Sequence, residues 1–317
     1  MKVPTNIPDL RRAVRSVGFR LGVRKLKKLN RNVIVFTTHK AGSMVLHRVL
    51  REICESNNIS YYSPNQNPDK QLPFDRIFNG EDFIAKRNGC FGPLRFFVPS
   101  ATLKSANIII HLRDPRDVLT SMFFSYCFMH PGETAANTGH RKKVAEAGID
   151  KFVLDLSDEN FTGYDGDYGT GGQYGKYIGN VRDRYLTYLR EIIGKPNTVL
   201  LSYEEMVLDF PTWLKKFLRT FELNDSDATY GFVRSKLDIQ DDVTRSGRRR
   251  DATSEKPGAE DVRSHKRKAT PGDYKEKLRP ETISELNRRF SEVLDALGYS
   301  SPQYETNRIP LLKQAVN

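Results

Sequence analysis

The sequence predicts an α/β protein built as a three-layer sandwich, with a central parallel sheet flanked by helices. Three stretches carry that expectation. Val33–Thr37 and Asn107–Leu112 are short apolar, largely β-branched runs, and each ends in a turn that feeds a helical pattern. Thr198–Leu201 repeats the arrangement further along. Runs of this kind suit strands buried on both faces. Strands that alternate with helices point to a sheet covered on both sides.

The elements follow in chain order. After Val33–Thr37, a helix is expected from Ser43 to about Glu55, because Val45, Leu46, Val49, Leu50 and Ile53 recur near helical spacing. Residues 56–100 read as irregular, with a short helix near Asp82–Lys86 and an extended segment at Leu94–Val98. Asn107–Leu112 then reads as a central strand. It stops at Arg113-Asp114-Pro115, where Asp114 suits a cap and Pro115 the first position of a helix running to about Phe128. Further helices are expected near Pro211–Thr220 and over Pro280–Leu297. Two segments stand apart. Residues 164–179 mix glycines with tyrosines, which suits a ligand-facing lid or a plain flexible loop. Residues 244–271 are basic and poor in large apolar side chains.

Composition bounds the function. The chain has 317 residues, 38% hydrophobic and 28% charged, as expected of a soluble globular protein. It contains no 18-residue apolar run to span a membrane and no signal-peptide core, so the expected compartment is the cytoplasm. The organisation expected is a basic leader at 1–30, a single α/β domain at 31–300 and a tail at 301–317. In the leader, arginines and lysines interleave with Val14, Val17, Leu21 and Leu26. That pattern fits peripheral contact with an anionic membrane surface, or simply a leader packed before the first strand. Cys54, Cys90 and Cys127 are sparse and odd in number, and no metal-ligand spacing occurs, so neither a disulfide framework nor a metal is expected. Lys and Arg outnumber Asp and Glu by 51 to 39, and a net charge of +12 favours anionic ligands. No zinc-finger spacing, aromatic RNA-binding signature or basic zipper accompanies it, so nucleic acid is not the expected partner.

The chemistry begins at Thr37-Thr38-His39-Lys40-Ala41-Gly42-Ser43-Met44. A strand delivers the chain to the end of the sheet, Gly42 lets the backbone curl, and the first free N–H groups of a helix point into the turn. Lys40 adds a positive charge. This is an anion cradle, although an ordinary strand–turn–helix with a surface lysine has the same pattern. It lacks the Gly-x-x-x-x-Gly-Lys spacing of a Walker loop. Arg113 at the next strand end and Ser121 in the following helix suit a second phosphate, with Arg267 and Lys268 within reach in the late basic loop. One ligand with two separated phosphate-like ends accounts for all of them.

At this point the chain resembles the sulfotransferases that use 3′-phosphoadenosine-5′-phosphosulfate (PAPS), over about residues 31–297. Thr37–Met44 is similar to the family's 5′-phosphosulfate loop, and Arg113-Asp114-Pro115-Arg116-Asp117-Val118-Leu119-Thr120-Ser121 to its 3′-phosphate motif. Leu201-Ser202-Tyr203-Glu204-Glu205-Met206 resembles the segment whose tyrosine lies near adenine, and Arg267-Lys268-Ala269-Thr270-Pro271-Gly272-Asp273-Tyr274-Lys275 a late phosphate-facing loop. The resemblance implies a P-loop-like fold and sulfuryl transfer to a hydroxyl or amine of a small-molecule or glycan acceptor. It implies PAPS as donor, the bisphosphate PAP as product, and no metal. It also implies roles. Lys40 assists the leaving phosphate, while Ala41, Gly42, Ser43 and Met44 line the 5′ end. Arg113, Ser121, Arg267, Lys268 and Ala269 face the 3′-phosphate, and Tyr203 and Ser235 the adenine.

The chain departs from the family in three places. His39 replaces a proline, Ala269 replaces a glycine, and the histidine expected near Leu94–Ser100 is missing. The acceptor's base is therefore unassigned by sequence. His39 beside Lys40 is one candidate, and His130, Glu81 and Asp82 are others in segments expected to flank the acceptor. Each also fits an ordinary structural or surface role. The alternatives to sulfuryl transfer are a nucleoside-kinase-like phosphotransferase and a non-enzymatic nucleic-acid-binding protein.

Overall fold

The computed structural model describes residues 26–64, 71–128, 135–161, 180–223 and 271–300. Its elements in chain order are β1 (Val33–Thr37), α1 (Ser43–Ser56), β2 (Tyr61–Tyr62), α2 (Phe74–Phe78), β3 (Cys90–Leu94), β4 (Asn107–Leu112) and α3 (Pro115–Phe128). Then come α4 (Ala135–Ala147), α5 (Ile149–Leu156), α6 (Val181–Glu191), β5 (Thr198–Ser202), α7 (Tyr203–Leu208) and α8 (Phe210–Thr220). The described chain closes with α9 (Tyr274–Lys277), α10 (Pro280–Arg289) and α11 (Ser291–Ala296).

The strands form one sheet in the order β2-β3-β1-β4-β5, and every pairing is parallel. Side chains alternate faces along each strand. Ile34, Phe36, Phe91, Ile108 and Ile110 join one apolar layer with α3, α5 and α6. Val33, Val35, Cys90 and Ile109 join the other with α1 and α8. The expected sandwich, buried on both faces, is what forms.

The topology places the site. The helix after β1 packs on one face, through Leu46, Val49 and Leu50. The helix after β4 packs on the opposite face, through Val118, Leu119 and Met122. Adjacent strands whose connections leave in opposite directions open a crevice at their carboxyl ends, where ligands of such sheets bind. The Lys40 turn and Arg113 both stand at this crevice.

Some expected boundaries shift. The strand after the irregular stretch is Cys90–Leu94 rather than Leu94–Val98. The short helix is Phe74–Phe78, while residues 83–86 form turns. The last helix is broken at Phe290 into α10 and α11. The helices α4, α5 and α6 were not foreseen. The segments 1–25, 164–179 and 244–270 lie outside the described residues.

Candidate active site

The cradle is built by a backbone that turns left-handed twice. Lys40 has φ 61° and Gly42 φ 77°. Glycine accepts that conformation freely, whereas a lysine there stores roughly 1–2 kcal/mol of strain. Gly42 then opens α1, its carbonyl accepting the Val45 and Leu46 N–H groups at 2.9 and 3.0 Å. The earlier N–H groups of the first turn are the ones an anion can use. Gly42 also fits closely: a Cβ there would stand 3.0 Å from Met206 Cε and 3.3 Å from the Tyr203 ring. Ala41 and Ser43 are buried, and Met44 is exposed at the rim.

Arg113 joins the segments. It follows β4 directly and is only 6% exposed. Its Nη1 donates to the Lys40 carbonyl at 3.1 Å, and this bond holds the strained turn. Its Nη2 pairs with Asp117 at 3.4 Å, and its guanidinium lies 4.4 Å over the Tyr203 ring. Its Nε is buried, and no described residue accepts from it. A guanidinium surrounded this way but still offering a donor is suited to an anionic ligand.

Asp117 brings in the late loop. Its carboxylate accepts the Gly272 N–H at 2.7 Å and the Tyr274 N–H at 3.0 Å. The described end of the 267–275 motif is thereby fixed beside Arg113. Ser121 lies half-buried one helical turn beyond Asp117 on α3, on the same face. Asp114 caps α3 through the Arg116 N–H at 2.9 Å and grips the Arg116 guanidinium with both oxygens, at 2.9 and 2.6 Å. Ser202 caps α7 by accepting the Glu205 N–H at 3.0 Å, which sets Tyr203 at the helix start. Behind it, Glu204 is buried between the Asp114 N–H and the Tyr299 hydroxyl. Burial pushes its carboxyl up to about 7, against the pull of the Asp114 N–H.

The candidate bases divide. His39 Nδ1 is held 2.9 Å from Arg184 Nη1. Asp82 is a structural clasp, accepting from Ser100 Oγ and the Ala101 N–H at 2.7 Å each. These bonds, together with the Ala85 N–H, outweigh the desolvation that opposes them and hold its carboxyl below the usual range. Glu81 is paired with Arg76 at 2.6 Å, which lowers its carboxyl as well. Neither acid is tuned upward as a base would be. His111, read from sequence as part of the sheet, is fully buried edge-on to Trp213. Burial drives its imidazole down to about 3. His130, Ser235, Arg267, Lys268 and Ala269 lie outside the described residues.

Sequence reasoning missed α6. Its Tyr188 hydroxyl donates to the Thr37 carbonyl at 2.7 Å, its Tyr185 hydroxyl donates to the Arg113 carbonyl, and Arg184 reaches His39. One helix thus secures the ends of β1 and β4 on both sides of the crevice. The signal was present: Asn180 and Asp183 form a capping box, and Val181, Tyr185, Tyr188 and Ile192 recur at 4, 3 and 4 residues, all buried.

Among the described residues, no cluster of side chains suits a metal ion and no helix is long and apolar enough to cross a membrane. No curated protein sequence matches the chain. Among solved structures, that of mouse sulfotransferase SULT7A1 complexed with PAP is similar at 16% identity and a TM-score of 0.53, covering 92% of this chain and 90% of that one. Retinol dehydratase in a complex with retinol and PAP matches at 14% identity and a TM-score of 0.44, over 83% of this chain and 81% of that one. The family model described as "Sulfotransferase domain" matches residues 30–298, and the chain belongs to that family.

Proposed function

We propose that this protein transfers a sulfuryl group from PAPS to a hydroxyl or amine of a small-molecule or glycan acceptor. The observation that carries the reading is Arg113. It bonds the Lys40 turn, stacks on Tyr203, reaches the late loop through Asp117 and keeps a buried donor for a ligand. Three distant segments read as parts of one nucleotide site meet there, and SULT7A1, which shares the fold, was crystallised with PAP.

PAPS supplies an activated sulfuryl group and a phosphate that departs with the broken S–O bond. The chain's residues do the rest. Lys40 and the N–H groups of Ala41, Gly42, Ser43 and Met44 face the 5′ end and stabilise the negative charge that grows there. Such donors act most strongly in the transition state, where that charge is largest. Arg113, Ser121, Arg267, Lys268 and Ala269 hold the 3′-phosphate, and Tyr203 and Ser235 contact adenine. His130 remains the candidate to take the acceptor's proton. We take 31–300 as the catalytic domain, flanked by the leader at 1–30 and the tail at 301–317. Three free cysteines suit a cytoplasmic setting.

Two measurements on the full chain test this. Calorimetry with PAP and with ATP should show binding of PAP in preference. Lys40→Ala should then reduce turnover of radiolabelled PAPS, with a mixed phenol, amine and carbohydrate acceptor set, by about 100-fold or more. Preference for ATP, or Lys40→Ala turnover equal to the unmodified chain's, refutes the assignment.

A further inference from the structure

His39 replaces the family's proline beside Lys40, and its setting decides what it can do. Arg184 Nη1 stands 2.9 Å from His39 Nδ1, and Arg184 is only 3% exposed. A guanidinium donates hydrogen bonds, accepts none and keeps its proton. Nδ1 must therefore carry the lone pair, and a neutral ring must carry its proton on Nε2. A second proton, on Nδ1, would place two donors face to face beside a buried cation. Arg184 is itself well anchored. Asn180 caps α6, and Tyr188 ties that helix to the Thr37 carbonyl, two residues before His39.

We propose that His39 is a catalytic hydrogen-bond donor at the anion cradle, not a general base, and that Arg184 is its positioning residue. This rests on the PAPS reading above. The two ring nitrogens face nearly opposite ways, so with Nδ1 turned to α6 the Nε2–H faces away from it. The adjoining residue, Lys40, sits where negative charge grows during transfer. An N–H aimed at an anionic oxygen of the donor substrate stabilises that charge. The bond from Arg184 withdraws electron density from the ring and makes the Nε2–H a stronger donor. His39 moves no proton; it shares one.

The test uses the full chain, 15N-labelled at histidine, in long-range proton–nitrogen NMR near neutral pH. The His39 signals are those missing from His39→Gln. The expected ring is neutral with its proton on Nε2, and Arg184→Met should release that preference. In turnover of PAPS, His39→Ala should lose about 100-fold in kcat with little change in KM for PAPS. His39→Gln, whose amide N–H can stand in for Nε2–H, should recover much of that loss. An imidazolium or an Nδ1–H ring overturns the proposal, as does His39→Gln no more active than a folded His39→Ala. If Arg184→Met fails to fold, the spectrum of the unmodified chain and the Gln rescue decide alone. An unmodified chain that binds no PAP by calorimetry overturns the PAPS reading and the role built on it. A chain that binds PAP but fails the tautomer or rescue test overturns the His39 role by itself.

Discussion

Glu204 and Gly42 show how individual positions are set by what surrounds them. Glu204 accepts from the Asp114 N–H at 3.1 Å and from the Tyr299 hydroxyl at 2.8 Å, yet burial still raises its carboxyl from 4.5 to about 7. The folded group holds its proton longer than the unfolded one. Its stabilising contribution is therefore fully present below about pH 4.5 and is lost as pH rises through about 7. Glu204→Gln, neutral throughout, should gain on the unmodified protein by up to about 3 kcal/mol between pH 4.5 and 8 in urea unfolding. A difference that does not vary with pH would mean that Glu204 ionises normally. At Gly42 the limits are steric. With φ at 77°, any side chain is strained by roughly 1–2 kcal/mol, and a Cβ would press on the Tyr203 ring at 3.3 Å. Gly42→Ala should lower thermal stability by about that amount and weaken PAP binding at least tenfold by calorimetry. Equal affinity would detach the Gly42 turn from the ligand. The glycine and Lys40 were both legible in sequence, because strand, turn and helix are local. The state of Glu204 was not, because it depends on Asp114 and Tyr299, 90 and 95 residues away.

At the scale of elements, α6 acts as a strut. Tyr185 satisfies the carbonyl of Arg113, and both side chains are buried. Tyr185→Phe keeps the ring and removes the hydroxyl, leaving that carbonyl without its partner at a cost of about 1–3 kcal/mol. Because the carbonyl belongs to the arginine proposed to hold the 3′-phosphate, PAP affinity should fall as well. Unfolding curves and calorimetry on the same variant measure both. A loss of stability with unchanged PAP affinity would make the strut structural only. Helix α6 was readable from its cap and its apolar spacing, but its anchoring bonds cross 72 and 151 residues, and no local pattern encodes them. The position of β3 was obscured for a different reason. Gly92 and Pro93 argue against an interior strand, since proline cannot donate to the ladder. The sheet accepts them through an irregularity: Ile34 pairs with Phe91 but Phe36 pairs with Leu94, so β3 carries one extra residue at that point. At the break between α10 and α11, Phe290 has φ −102° and ψ 13°, and its fully buried ring meets Tyr185 edge-on at 6.5 Å.

The whole domain is organised around the boundary between β1 and β4. Its layers were legible because buried parallel strands are written as unbroken apolar runs, and Asn107–Leu112 has that character. Of the proposed nucleotide side, the Lys40 turn and Arg113 were legible because each follows a strand end. The acceptor side was not, since a base must be brought from elsewhere in the chain and no spacing marks it. This architecture makes a prediction about cooperativity. In the proposed site, one phosphate lies on the β1–α1 unit, packed against one face of the sheet, and the other on the β4–α3 unit, packed against the opposite face. Arg113 links the two through the Lys40 carbonyl. A ligand held by both units binds only when both are folded and docked, so its binding energy should stabilise the domain as a single body. With PAP at 100 times its dissociation constant, the unfolding free energy should rise by about 2.7 kcal/mol, with one urea transition of unchanged steepness. Adenosine at the same concentration lacks both phosphates and should add far less. If PAP moved only part of a split transition, the two halves of the sheet would not share the ligand, and Arg113 would be a structural link rather than the centre of the site.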